Sequence, residues 1–255
     1  MIHTAIPLTI IIPTHQEEQN LKELLPQLQW AAEIMVVDSF STDQTVAIAE
    51  QYHAKVFVRK YVGPADQKNW AIDQATYPWI LILDADERLT AALEQEIKQL
   101  MQQPNEQIDG YWIARQNYFM GKKIRYSGWQ GDRIIRLFQQ SKCRYNDKQV
   151  HEEIEETGST EQLQYAMDHY TYRNLDHFLD KMRRYARWSA QDYHHKTPKV
   201  TYFHLWLKPA FRFFKHFVLK RGFLDGYVGF VVSVLMAWGV FLRYVYIQEM
   251  QQSEV

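Results

Sequence analysis

The sequence predicts an α/β domain built on a mixed, mainly parallel sheet and continued by a helical, membrane-associating extension. Three observations carry this expectation. Apolar runs of strand length alternate with helix-period patterns through the first hundred residues, as βαβ units require. Those runs are apolar almost without interruption, so both faces of the sheet should be covered. Beyond residue 193 the composition changes to a basic, aromatic tract and then to an uncharged apolar run.

The elements follow in order. The first strand is residues 8–12, after which Leu21, Leu24, Leu25 and Leu28 repeat at the spacing of an amphipathic helix. Residues 34–37 form the second strand, and Ser41 through Gln44 can make a capping box that opens a helix towards Tyr52. Residues 55–59 and 79–83 are the third and fourth strands, each followed by a helix, at 65–75 and 90–103. After Pro104 the pattern turns to extended segments at 110–119, 132–139 and 150–155, with Gly121, Gly128 and Gly131 marking a loop. A further helix is expected over 176–194, with Phe178, Met182, Tyr185 and Trp188 on one face. This divides the chain into a catalytic domain, 1–175, and a helical tail, 176–255.

Hydrophobic residues make up 46% of the chain and charged residues 23%, which suits a globular core and argues against a chain wholly embedded in lipid. The net charge of −1 conceals an asymmetry. No Asp or Glu occurs from Tyr193 to Leu224, a stretch that holds Lys196, Lys199, Lys208, Arg212, Lys215, Lys220 and Arg221. Such a tract calls for an anionic partner. Its cations interleave with Phe211, Phe213, Phe214, Phe217 and Leu219, and residues 226–242 then carry no charge. That run falls just short of the roughly 20 residues of a spanning helix, and Gly226, Gly229, Ser233 and Gly239 interrupt it. A re-entrant or interfacial hairpin is therefore expected, with a spanning helix and a buried core helix as alternatives. Cations beside interfacial aromatics point to an anionic membrane surface. Nucleic acid is not expected, since no reading motif accompanies the tract. Cys143 is the single cysteine, which excludes an intrachain disulfide and suits a reducing compartment. Residues 1–7 lack the basic and apolar regions of a signal peptide.

In an open parallel sheet, ligands bind outside the carboxyl ends of the strands. Here the first strand ends at Pro13-Thr14-His15-Gln16-Glu17, the second at Asp38-Ser39 and the fourth at Asp84-Ala85-Asp86. Any one of these acids could cap a helix. Three strand ends bearing carboxylates suit a divalent cation with a diphosphate, because hard cations prefer carboxylate and phosphate oxygens. If the strand geometry continued past Leu83, Asp84 and Asp86 would lie on one side of it. No glycine-rich dinucleotide or P-loop motif follows the first strand, so phosphate must be met by metal and by cations such as Lys68.

These residues resemble a known family. Ile10-Ile11-Ile12-Pro13-Thr14 with Glu17, the run Val36 to Thr45, Gln67-Lys68-Asn69-Trp70-Ala71 and Asp84-Ala85-Asp86-Glu87 look like family 2 glycosyltransferases over about the first 155 residues. Arg136-Leu137-Phe138, Val150-His151-Glu152 and Gly222 through Gly226 are similar to the branch of lipopolysaccharide-core β-1,4-glucosyltransferases. Gln16 stands where the family usually has Asn, and Phe40 where Gly is common. The resemblance implies a GT-A-type fold and inverting transfer of a hexose, glucose first, from a nucleotide-diphosphate sugar (UDP-hexose) to a glycolipid or lipid-linked acceptor. Pro13, Glu17, Asp38, Lys68 and Asp84 would bind the donor, Asp38 taking a uracil N–H and Asp84 the ribose. Asp86, with His151 as a further candidate, would hold Mg²⁺ or Mn²⁺. Glu152, with Glu153 as alternate, would be the catalytic base. The expected location is the cytoplasmic face of the inner membrane, peripheral or shallowly inserted. The rival readings are a sugar nucleotidyltransferase and a non-catalytic scaffold at the membrane surface.

Overall fold

The computed structural model describes residues 5–146, 154–156, 158–172 and 175–253. The chain forms two compact units, residues 1–115 with 132–169 and residues 116–131 with 170–255. In the first unit the elements are β1 (Ile6–Thr14), α1 (Glu18–Leu24), β2 (Ala31–Asp38), α2 (Thr45–Gln51), β3 (Lys55–Val58), α3 (Pro64–Gln74), β4 (Trp79–Ile82), β5 (Glu87–Leu89) and α4 (Ala91–Leu100). Then come β6 (Ile108–Phe119), which leads into the second unit at β7 (Lys122–Lys123), and β8 (Arg133–Gln139), β9 (Cys143–Tyr145), β10 (Ile154–Glu156) and β11 (Ser159–His169).

The sheet runs β3-β2-β1-β4-β8-β6-β11-β5. Its first four strands are parallel, and β8 joins β4 antiparallel, so the sheet is mixed, as expected. The period of two along each strand builds two cores. Ile10, Ile12, Val36 and Leu81 face a cluster with Leu21, Leu24, Ile48, Leu93 and Ile97, from α1, α2 and α4. Ile11, Met35, Val37, Ile80 and Ile82 face the other way, onto Ala71 and Ile72 of α3 and Cys143 and Tyr145 of β9. Burial on both faces explains why these strands lack polar alternation.

Expectation and structure differ locally at several points. Ser41 does not open a capping box: α2 starts at Thr45 with Gln44 as its N-cap residue, and Ser41 turns back to Asp38 instead. The acids at 84 and 86 do not cap the next helix, because β5 intervenes and Thr90 caps α4, accepting from the Leu93 N–H at 3.3 Å. Strands β9 and β11 were not anticipated. In β11, polar residues outnumber the buried Leu163, Met167 and His169, which hides its pairing with β5. In the second unit, α5 (Leu175–His194) buries Phe178, Ala186 and Ala190, while Tyr185 and Trp188 are exposed. Small alanines let a neighbouring helix approach, and the bulky aromatics are left on the outside.

That neighbour is α7 (Gly226–Ser253), a single unbroken helix of 28 residues and not a hairpin. Its small residues serve packing rather than turning. A Cβ on Gly229 would collide with the Gly222 carbonyl oxygen, and one on Gly239 would meet Met182 of α5 at 3.3 Å. Ser233 satisfies its hydroxyl on the Gly229 carbonyl at 2.7 Å. Residues Gly222–Ser253 are long and apolar enough to cross a membrane by length and composition, and they are only partly buried within the protein. Between α5 and α7 the chain forms α6 (Lys208–Phe214), flanked by π-helical turns. Val228 and Val232 of α7 close a core with Phe119, Ile124 and Phe178.

Asp225 ties this unit together. Its carboxylate accepts from the backbone N–H groups of Arg125 and Tyr126, each at 3.0 Å, and from the Ser127 hydroxyl at 2.8 Å. Asp225→Ala removes a charged acceptor from three donors at once, and we expect a loss of about 3 kcal/mol in the stability of this unit, measured by urea denaturation followed through Trp129 fluorescence.

Candidate active site

Parallel pairing puts the carboxyl ends of β2, β1 and β4 on one edge of the sheet, with β1 in the middle. The loops after β1 and β2 are zipped together there. The N–H of Gln16 donates to Ser41 Oγ at 2.8 Å, the N–H of Glu17 to Thr45 Oγ1 at 2.8 Å, and the N–H of Ser39 to the Thr14 carbonyl at 2.9 Å. Asp38 is the centre of this zipper. It is fully buried and accepts from Thr14 Oγ1 at 3.0 Å, the Ser41 N–H at 2.7 Å and Ser41 Oγ at 2.5 Å. Pro13 pairs with Val37 beside it, and Glu17 accepts from Asn20 at 2.7 Å at the start of α1. The two departures from the family pattern acquire a physical meaning. Gln16 has φ 58° and Phe40 φ 57°, the left-handed region in which Asn and Gly are the favoured residues. Phe40 is also 62% exposed, so little packing offsets its strained backbone.

At the end of β4 the pleat stops. The Glu87 N–H donates to the Asp84 carbonyl at 2.9 Å, which closes a turn, and the two aspartates point to different partners. Asp84 meets Arg136 through one oxygen and Lys68 through the other, the latter at 3.6 Å. Arg136 also binds Glu87 at 2.8 Å, and Arg115 reaches Glu87 at 3.5 Å and Asp132 at 2.8 Å. The antiparallel register of β8, with Leu81 opposite Leu137, is what sets Arg136 against the end of β4. Burial opposes the charge on Asp84, but Arg136, then Lys68 and His169, outweigh it and hold the carboxyl well below its ordinary range. Burial likewise opposes the charge on Arg136, and Asp84 and Glu87 reverse that and push its pKa up. Arg136 and Glu87 are sealed, at 1% and 0% side-chain exposure, whereas Asp84 remains 36% exposed and open to a ligand. Lys68, expected to meet phosphate, is buried against Asp84 and lies 5.0 Å from the Tyr145 ring centroid.

Asp86, on the turn, faces His169. The imidazole Nε2 lies 3.7 Å from Asp86 Oδ1, because β11 pairs His169 with Glu87 across β5. Among the described residues no group of three or more His, Cys, Asp or Glu gathers at metal-ligand spacing. A carboxylate and an imidazole side by side nevertheless fit a divalent cation that takes its remaining ligands from a diphosphate and water, the common mode for Mg²⁺ and its analogues. His151, Glu152 and Glu153 lie outside the described residues. The Arg136-Leu137-Phe138 motif carries the family resemblance without showing a task for Arg136, and no local pattern marks Arg115 or His169.

Comparison with known proteins fits this geometry. The profile of the Glycosyl transferase family 2 matches residues 9–156. A Rickettsia felis protein described as an uncharacterized glycosyltransferase is 31% identical, over 85% of this chain and 80% of its own. The lipopolysaccharide core biosynthesis glycosyltransferase LpsC of Rhizobium meliloti is 27% identical, over 94% of this chain and 93% of its own. Among solved structures, Staphylococcus aureus TarS in complex with UDP aligns over 96% of this chain and 91% of its own, at 16% identity and a TM-score of 0.49.

Two outcomes follow from the geometry. Arg136→Met leaves Asp84 and Glu87 without their shared counter-charge, and chemical denaturation should show a loss of about 3–5 kcal/mol. Phe40→Gly relieves a left-handed backbone at an exposed position, and the same measurement should show a gain of about 1 kcal/mol.

Proposed function

The chain belongs to glycosyl transferase family 2, and on that premise we propose that it transfers a hexose, with inversion, from a UDP-sugar to a glycolipid acceptor of the cell envelope. The observation that carries the reading is the paired arrangement at the end of β4: Asp84 held ionised beside Lys68 and Arg136, and Asp86 beside His169. Asp84 presents an exposed, anionic edge to the ribose hydroxyls. Asp38 is wholly buried and keeps the loop from Ser39 to Thr42 in place; for it to accept a uracil N–H, its contacts with Ser41 must open on donor binding. Asp86 and His169 would hold Mg²⁺ or Mn²⁺, which neutralises charge on the departing diphosphate. Lys68 and Arg136 keep the local field positive enough for two aspartates and a diphosphate to share one edge. Glu152, the acidic member of the matching Val150-His151-Glu152 motif, takes the proton of the acceptor hydroxyl. Lipopolysaccharide core is the acceptor class that the similarity to LpsC supports, with glucose as the first sugar to test.

The tail supports work at a membrane surface. Tyr202, Trp206, Phe211, Leu219 and Tyr227 are each more than half exposed, close in sequence to Lys215, Lys220 and Arg221. Helix α7 packs along α5, which carries Asp180, Arg183, Arg184, Arg187 and Asp192. A spanning α7 would draw those charges into lipid at a cost of several kcal/mol. Docking on the cytoplasmic face, with the aromatic side chains in the headgroup layer, avoids that cost.

Metal dependence is tested by calorimetry with UDP. Binding should require Mn²⁺ or Mg²⁺, and Asp86→Ala should abolish the metal-dependent part while leaving the fold intact. Equal UDP affinity with and without EDTA would sink the assignment. For the base, Glu152→Gln should lower transfer by roughly 10²–10⁴ with UDP affinity unchanged, and Glu153→Gln should do much less. The reverse order would move the base by one residue.

A further inference from the structure

Lys208, Arg212 and Arg243 bring three positive charges together in the second unit, and among the described residues their hydrogen-bond partners are neutral. The ammonium of Lys208 donates to the Tyr244 hydroxyl at 2.6 Å, and the Arg243 guanidinium reaches that same oxygen at 3.4 Å. Arg243 also donates to Ser189 Oγ at 3.4 Å and lies 4.8 Å from the Tyr193 ring centroid. Arg212 reaches the ring of His216 at 3.4 Å, and that ring binds the Ser127 carbonyl on its other side. All three cations are half-buried, and among the described residues none has a carboxylate within ion-pair distance. The Nε–H of Arg243 is buried, with no hydrogen-bond partner among the described residues. Burial, then Arg243, pushes the pKa of Arg212 down, and burial followed by Lys208 does the same to His204. Like charges gathered out of water without a counter-ion are costly unless an anion completes the site.

We propose that Lys208, Arg212 and Arg243 form a binding site for a phosphate monoester. A dianion balances converging cations better than a carboxylate does, and two of the three are guanidinium groups, whose planar fork suits phosphate. The same segment exposes Phe203, Trp206, Leu207 and Phe211, which suits a phosphate carried on a lipid. This site rests on the membrane-acceptor reading above but is separable from it.

The experiment uses the full chain and phosphatidylcholine vesicles carrying either phosphatidic acid, a phosphate monoester, or phosphatidylglycerol, a diester, at matched surface charge. The pair Arg212→Gln with Arg243→Gln is compared with Lys215→Gln with Lys220→Gln, which removes the same charge from exposed positions outside the cluster. UDP binding and circular dichroism verify the fold, and Arg243→Lys, which keeps charge but loses the fork, guards against a misfolded double variant. The cluster pair should lose roughly ten-fold or more in affinity for phosphatidic acid vesicles relative to phosphatidylglycerol ones, and Arg243→Lys part of that, whereas the control pair weakens both equally. Displacement of the wild-type protein from phosphatidic acid by glucose 6-phosphate would support the site with a soluble ligand, and resistance to displacement supports a lipid one. If both pairs lose affinity equally for both lipids, the cations act only as diffuse charge and the site is overturned. Failure of the wild type to bind any vesicle, with UDP binding kept, would instead overturn the membrane reading of the function.

Discussion

The buried guanidinium of Arg136 is the constraint on which the donor edge depends. Two acids, Asp84 and Glu87, sit one turn apart, and Glu87 is wholly cut off from water. Leaving the buried Glu87 carboxylate without a counter-charge would be costly. Arg136 binds both, Lys68 takes the other oxygen of Asp84, and Arg115 completes the balance at Glu87. The result is a nearly neutral inner layer that leaves one face of Asp84 exposed. An ion cluster of this kind contributes little net stability, since burial offsets most of its Coulomb energy. Its effect is positional: it holds a charged oxygen still at the mouth of a strand edge, where a ligand can use it.

The mixed sheet makes that arrangement possible. A purely parallel sheet brings only strand ends to its carboxyl edge. Antiparallel β8 brings a strand beginning there instead, and with it Arg136. In the same way β11 returns to pair with β5 and delivers His169 beside Asp86. Donor-side acids follow strands of the parallel half of the sheet; Arg115, Arg136 and His169 come from the antiparallel half, and Lys68 from α3. The turn closed between Asp84 and Glu87 separates the two aspartates, so that one is committed to cations and the other to an imidazole.

The second unit follows a different logic. Its long apolar helix is held by Gly229, Ser233 and Gly239, whose small size permits close approach to neighbours, and by the Asp225 carboxylate that gathers the loop from Arg125 to Ser127. Helix α7 is long and apolar enough to cross a bilayer, whereas its partner α5 carries Asp180, Arg183, Arg184, Arg187 and Asp192. Among the described residues of this unit, the exposed apolar side chains lie mainly on α6, its flanking turns and the first half of α7, and they share that segment with Lys208, Arg212, Lys215, Lys220 and Arg221.

Much of this protein was legible in its residues. The four parallel strands, the helices between them and the acids at their carboxyl ends are written in local pattern, because a strand buried on both faces must be apolar and a charge can appear only where the strand ends. Gln16 and Phe40 could be recognised as departures, but their left-handed backbones could not be read, since nothing local announces a positive φ at Gln or Phe. The antiparallel strands were harder: β11 is too polar to signal a strand, and its partner β5 is three residues long. The tail was misread as a hairpin because glycines that permit helix packing look, in one dimension, like glycines that permit turns. The sequence by itself determined the family, the parallel core and the identity of the acids. Tertiary structure alone decided which cation meets which acid, because Arg136, Glu87 and Asp84 are brought together by strand register across about fifty residues of chain, and no local pattern encodes a contact at that separation.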